Sequence, residues 1–302
     1  MEKIDRLGWA AGICLVAYGV RVGIRVNKPE VVDRIPDLLP PGWKPATSPL
    51  VDRLYSLLIG GAGPQPHVRR FNLLYANEVK LARTMDLDEV FNLLESDLQL
   101  YVAETARRRL FVHAGVVGWH GQAIVIPGRS FSGKTTLVAA LVKAGATYYS
   151  DEYAVFDANG RVYPFPKPLS IRDKNGKVLR RFPAEELGGL PGVKPVPVGL
   201  VVISRCRPGA RGRRRVLSPG RGGLALLANT VSARRHPELA LVTLPQVVSH
   251  ALVFKGVRGE AKEMVDSLLS KFRGERAPVV LVDNGRPHAV GLSFRGRQAP
   301  RR

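Results

Sequence analysis

Residues 123–152 read AIVIPGRSFSGKTTLVAALVKAGATYYSDE. The apolar run Ala123 to Pro127 has the length and composition of a buried strand. Thr135 to Ala144 repeats apolar residues at helical spacing, Gly145 is placed to end that helix, and Thr147 to Ser150 reads as the next strand. Strand, glycine-rich loop, helix and strand in succession predict an α/β fold. The loop itself, Gly128-Arg129-Ser130-Phe131-Ser132-Gly133-Lys134-Thr135, fits G-x-x-x-x-G-K-[ST] in the strand-to-helix context the mechanism needs. Two glycines let the backbone wrap phosphate groups with its N–H donors, and a helix N-terminus adds the positive end of its dipole. Lys134 is then the cation for the β- and γ-phosphates of ATP, Thr135 a ligand of Mg²⁺, and Arg129, Ser130, Phe131, Ser132 and Thr136 complete the nucleotide-binding set. The bland alternative is a glycine-rich turn with a chance lysine.

Such a loop is shared by ATPases, GTPases and kinases, so neighbouring residues must define the chemistry. Asp151 and Glu152 end the strand after the helix, which places two carboxylates beside the loop if that strand neighbours Ala123–Pro127 in a parallel sheet. One carboxylate can serve Mg²⁺ while the other takes a proton from an attacking hydroxyl. An Asp-Glu pair in a solvated turn is the competing reading. No convincing Asn-Lys-x-Asp motif for guanine recognition is present.

These residues resemble the HPr kinase/phosphorylases, whose catalytic domain has a His-Gly strand, a phosphate loop and a paired-Asp strand end. His113 precedes Gly128 by 15 residues, and Asp151 and Glu152 follow Lys134 by 17 and 18, the family's spacings without insertion. The resemblance implies that Asp151 is the general base activating a serine hydroxyl, that Glu152 is the second acid near the metal, and that His113 lies close to the phosphates. His113 also reads as a hydrogen-bonded core histidine. Leu169-Ser170-Ile171-Arg172 resembles a later Leu-Glu-Ile-Arg segment, making Arg172 a candidate for stabilising transferred charge. Departures are Glu152 for Asp, Thr136 for an acidic residue, and Ser170 where the family has a metal-binding Glu.

The likeness spans residues 110–172 and is to the broader HPr-kinase-related group, with a core of HPr-kinase/PEP-carboxykinase type. It implies an ATP-dependent kinase acting on a serine or similar hydroxyl of a protein or peptide phosphoacceptor. A nucleotide-dependent binding or regulatory ATPase and a small-molecule kinase remain as alternatives.

Outward from this core, Leu110–Val117 reads as a strand joined to Ala123–Pro127 by a turn at Trp119–Gln122. Leu87, Val90, Phe91, Leu94, Leu98, Tyr101 and Val102 predict a long amphipathic helix from Asp86 to near Arg109. Tyr153–Phe156 and Val198–Ser204 read as strands, Glu260–Phe272 as a helix, and Leu224–Val231 is ambiguous. Prolines at 29, 36, 40, 41, 45 and 49 leave room for one short helix around Val31–Leu38. The apolar run from Leu7 to Val20 faintly imitates a signal peptide, but 14 residues are too few for a membrane span, and a buried strand or hairpin fits better. The resulting division is a smaller α+β N-terminal region over 1–109, a kinase domain over 110–275 and a basic, weakly ordered tail over 276–302.

At 302 residues with 45% hydrophobic and 24% charged composition, the chain belongs to the globular class. Cys14 and Cys206 are too few for a disulfide framework or a paired zinc site, which favours a reducing, cytoplasmic setting. The formal charge of +21 suits a polyanionic or acidic partner, and Arg205, Arg207, Arg211, Arg213, Arg214, Arg215 and Arg221 concentrate it in one stretch. Few aromatic residues interleave these arginines, so nucleic acid is not the favoured partner. A solvated loop is the equal alternative to a docking surface. If Arg205–Arg221 holds an acidic partner, affinity should fall steeply with salt, on the order of one log unit of slope per phosphate neutralised for duplex DNA. Affinity for nucleic acid and phosphoacceptor that stays flat from low to high salt removes the docking surface.

Overall fold

The computed structural model describes residues 2–61, 70–128, 132–172, 178–207, 209–210, 213–270, 279–283 and 286–290. Arg129, Ser130, Phe131 and Arg211 lie outside the described residues, as do the side chains of Arg172, Arg213 and Arg214. The protein is α/β, with two large sheets. None of the helices among the described residues is long and apolar enough to cross a membrane.

The first sheet follows a single helical turn, α1 (Glu2–Asp5). The apolar run after Leu7 forms a hairpin of β1 (Ala11–Ala17) and β2 (Val20–Val26). Its turn residues Tyr18 and Gly19 both have positive φ, 52° and 85°, the handedness that suits a two-residue hairpin. β3 (Lys44–Pro45) pairs with β1, β4 (Arg53–Leu58) pairs parallel with β2, and β5 (Asn72–Ala76) and β6 (Val79–Thr84) extend the sheet to the order β3-β1-β2-β4-β5-β6. The short helix expected at Val31–Leu38 is instead two 3-10 turns, Pro29–Arg34 and Pro36–Leu38. Pro36 has no N–H to donate, so the hydrogen-bond ladder is interrupted there although Ile35 itself stays helical at φ −67°, ψ −43°.

α2 (Leu87–Thr105) packs on this sheet. Asp86 caps it by accepting from the N–H groups of Asp88 and Glu89 at 2.9 and 3.3 Å. Val90, Leu94, Leu98 and Val102 are buried at helical spacing, each contributing about 1.5–3 kcal/mol by leaving water. The helix stops at Thr105, short of Arg109, because Ala106 turns to an extended backbone and three arginines follow.

The second sheet is built around β7 (Leu110–Trp119), which returns through the turn His120-Gly121 into β8 (Gln122–Pro127). After β8 come α3 (Lys134–Lys143), β9 (Thr147–Ser150), β10 (Tyr153–Phe156) and β11 (Val162–Tyr163). β12 (Leu169–Arg172) and β13 (Val178–Phe182) form a separate hairpin, followed by β14 (Val198–Cys206), β15 (Arg213–Val216) and α4 (Pro219–Leu227). α4 resolves the ambiguous stretch near Leu224 as helix. α5 (Pro237–Ser249), β16 (Leu252–Arg258) and α6 (Ala261–Leu269) complete the layer. In the stretch expected to lack order, β17 (Val279–Asp283) and β18 (Arg286–Val290) pair antiparallel.

The sheet order is β11-β10-β7-β8-β14-β16-β15, with β9 also on β7. This corrects the expectation that the strand ending in Asp151 neighbours β8. β8 has β7 on one side, antiparallel, and β14 on the other, parallel, so β9 pairs with the far edge of β7. The physical reason is the β7–β8 hairpin, which occupies the near edge of β8 before β9 is reached. α3 and α6 cover one face around Leu137, Val138, Leu141 and Val265, while α4 and α5 cover the other around Leu226, Leu244 and Val247.

The two sheets are joined by a buried ionic cluster. Glu95 on α2 accepts from Lys167 Nζ at 2.6 Å and from Gln99 at 3.1 Å. Arg181 Nη1 lies 2.8 Å from its other oxygen, an ion pair not aligned as a hydrogen bond. Lys167 also donates to the Leu38 carbonyl at 3.2 Å. Glu95→Ala leaves Lys167 buried without its partner and should cost about 3–5 kcal/mol, read as a lowered denaturant midpoint at unchanged slope. The double variant Glu95→Leu with Lys167→Met should recover most of that loss, and a single variant within about 1 kcal/mol of the parent rules out a desolvated pair.

Candidate functional site

β8 ends at Pro127, and Gly128 N–H donates to the His113 carbonyl at 3.1 Å, tying the start of the loop to β7. A Cβ on Gly128 would stand 2.7 Å from Ser132 Oγ, so a side chain there would displace the Ser132 hydroxyl. Gly133 has φ +80°, the left-handed region, and is the N-cap of α3. Among the described residues no side chain caps that helix at Gly133, and a helix start of this kind is where an anion can bind. Ser132 Oγ is buried with no hydrogen-bond partner, an orphaned polar atom in the same turn.

The loop opens on a cleft of about 1240 Å³. Lys134, Thr135, Thr136, His113, Asp151 and Glu152 all line it. They come together because β7 changes partner at this level, pairing with β10 at His113 and with β9 at Val116. Ala114 N–H donates to the Glu152 carbonyl at 3.1 Å across the break, which fixes the acid pair between the two strands. Helix α3 can approach because residue 115 is glycine: a Cβ there would stand 2.5 Å from Val138 Cγ2.

Asp151 is the most constrained of these groups. Its Oδ2 accepts from the Thr135 hydroxyl at 3.0 Å, Tyr148 Oη lies 3.0 Å from its Oδ1, and the N–H groups of Ser170 and Asp151 itself also reach the carboxylate. Burial nevertheless pushes its pKa upward, because desolvation outweighs the donors. Lys134 is shifted downward by burial, an effect opposed by Asp151 and Glu152. His113 is likewise lowered, first by burial and then by Lys134, and so stays uncharged at neutral pH. Its ring stacks on Tyr153 with centroids 4.9 Å apart, and it makes no hydrogen bond to Asp151.

Gly128, Ser132, Gly133, Lys134, Thr135 and Thr136 therefore share one loop and helix start with Asp151, Glu152 and His113 around it. Ser170 reaches the cleft on β12, while the Arg172 side chain is outside the described residues. Two participants carried no signal in the sequence. Tyr148 alternates like any strand residue, yet its hydroxyl lies between Asp151 and the Lys167 carbonyl, at 3.0 and 2.7 Å. Arg258, at the end of β16, donates to the Gly133 carbonyl at 2.8 Å.

The residues fit a triphosphate and a hard divalent cation. The orphaned Ser132 Oγ, the uncapped helix start and Lys134 supply anion donors, and Thr135 with Asp151 supplies oxygen ligands or their immediate neighbours. Among the described residues no three His, Cys, Asp or Glu side chains converge on a separate metal site. No protein-family model matches the chain, and a search of curated proteins likewise finds no match.

Lys134→Ala removes the cation at the mouth of the loop and should abolish or severely weaken ATP binding measured by calorimetry. A folded variant with the parent's affinity would refute the assignment of this loop to a triphosphate.

Proposed function

We propose that the protein is an ATP-dependent kinase of the HPr-kinase-like P-loop type, passing a γ-phosphate to a serine or similar hydroxyl of a protein or peptide. The observation that carries this reading is the 3.0 Å contact between Thr135 Oγ1 and Asp151 Oδ2 at the start of α3. A loop threonine bonded to a strand-end aspartate is the pairing that holds Mg²⁺ in P-loop proteins. The spacing shared with the HPr kinases supports the same reading from the sequence side.

Within it, Gly128, Ser132 and Gly133 turn the backbone toward the phosphates, and Lys134 faces the β- and γ-oxygens. When bound, Mg²⁺ would supply positive charge to offset what develops on transfer. Thr135 would ligate it directly, with Asp151 accepting the threonine proton. The geometry also bears on which acid is the base. Thr135 and the N–H groups of Ser170 and Asp151 reach the Asp151 carboxylate, with the Tyr148 hydroxyl shared between it and the Lys167 carbonyl. Glu152, by contrast, is exposed on the cleft and more open to an attacking hydroxyl. We therefore exchange the roles implied by the family resemblance. Glu152 takes the proton of the attacking hydroxyl as its oxygen bonds to the γ-phosphorus and the bond to ADP breaks. His113, neutral and stacked on Tyr153, shapes the phosphate side of the cleft without adding charge.

Transfer of label from γ-labelled ATP to a protein or peptide fraction tests the activity, and label released only as phosphate, or recovered only on small molecules, would overturn it. Glu152→Gln should keep Mg²⁺-dependent ATP binding while transfer falls by roughly 10² or more. Asp151→Asn should lose the Mg²⁺ dependence of binding. The opposite pattern, normal metal dependence in the Asp151 variant with transfer lost, returns the base to Asp151.

A further inference from the structure

The guanidinium of Arg258 is buried, with the residue 4% exposed. Nη2 donates to the Gly133 carbonyl at 2.8 Å and Nη1 to the Gly259 carbonyl at 3.3 Å, while Nε is buried with no partner. Both acceptors are neutral. Among the described residues no carboxylate lies within ion-pair distance, and Glu263, which comes near the backbone at Gly259, forms no pair with it.

Its position makes the charge more costly still. Gly133 is the N-cap of α3, where the helix dipole is already positive and the next residue is Lys134. A buried cation at a helix N-terminus beside a lysine, without a counter-ion, is destabilising on every count. One change reverses the sign of each contribution: an anion held by the loop. The orphaned Ser132 Oγ in the same turn points to the same missing group.

We infer that Arg258 belongs to the anion site as a positioning residue set behind the loop, a buried charge that polyphosphate binding neutralises. Among the described residues it is not one of those lining the cleft, which places it behind the loop and not against the substrate. It acts through space on the phosphates and through its bond to the Gly133 carbonyl. The fold thereby carries a charge that disfavours the empty site and favours the filled one. This rests on the nucleotide reading above and adds the residue that sets the affinity of the loop for polyphosphate.

The test uses the full chain with inorganic pyrophosphate and Mg·ATP as probes, comparing the parent, Arg258→Met and Arg258→Lys. Methionine keeps much of the volume and removes the charge. Arg258→Met should melt at or above the parent's temperature without ligand, yet bind both probes about tenfold or more weakly. Arg258→Lys should keep most of the affinity, since it retains the charge. A purely structural arginine would lower the melting temperature and leave affinity alone. That result, a methionine variant that fails to fold, or equal affinity in parent and Arg258→Met, overturns the inference. If the parent itself binds neither probe, the nucleotide reading falls first and this inference with it.

Discussion

The site depends on how β7 divides its two edges. One edge pairs with β8 over Ala114 to Trp119, and the other pairs with β10 over Leu110 to His113 and then with β9 over Val116 to Gly118. The break between β9 and β10 is Asp151-Glu152. The acid pair therefore projects from the middle of the sheet, at the level where β8 gives way to the glycine-rich loop on the opposite edge. Gly115 completes the constraint. A side chain there would meet Val138 at 2.5 Å, push α3 away from the sheet and carry Thr135 off Asp151. One unbranched position in a fully paired strand thus sets the distance between a helix start and a carboxylate.

That constraint explains which parts were legible in the sequence. β8 and α3 are decided by local rules, an apolar run and helical spacing, and their bounds differ from the expected ones by no more than a residue. The core of α2 was legible for the same reason. Its C-terminal end was not, since a helix stop before three arginines leaves no glycine or proline to mark it. The partner of β9 was invisible, because Thr147–Ser150 gives no register and pairing is set by strands distant in sequence. The β4, β5 and β6 strands suffered likewise, being short segments whose burial depends on one another. The participants missed at the site, Tyr148 and Arg258, belong to residue types that read by default as strand filler or solvated charge.

Among the described residues, the buried charges of Glu95 and Arg258 resolve their desolvation in opposite ways. Glu95 is enclosed by Lys167, Gln99 and Arg181, so its charge is answered on several sides and the cluster holds the two sheets together. Among the described residues Arg258 has carbonyl partners and no carboxylate. A fold that can surround one buried ion so completely, and that carries an excess of 46 Lys and Arg over 25 Asp and Glu, leaves the second unanswered at the start of α3. The difference follows from location. A carboxylate beside Arg258 would stabilise the empty loop and repel an incoming phosphate, while a bare guanidinium does the reverse.

The same reasoning links the Glu95 cluster to the acid pair. Lys167 is held by Glu95 through its ammonium, and its carbonyl lies 2.7 Å from the Tyr148 hydroxyl, which is also 3.0 Å from Asp151. A phenol has one proton, so it can donate to only one of these two acceptors at a time. The chain from α2 to Asp151 is thus contiguous but contains one exchangeable link. The first sheet, through a single helix residue, is in this way mechanically continuous with the carboxylate at the mouth of the loop.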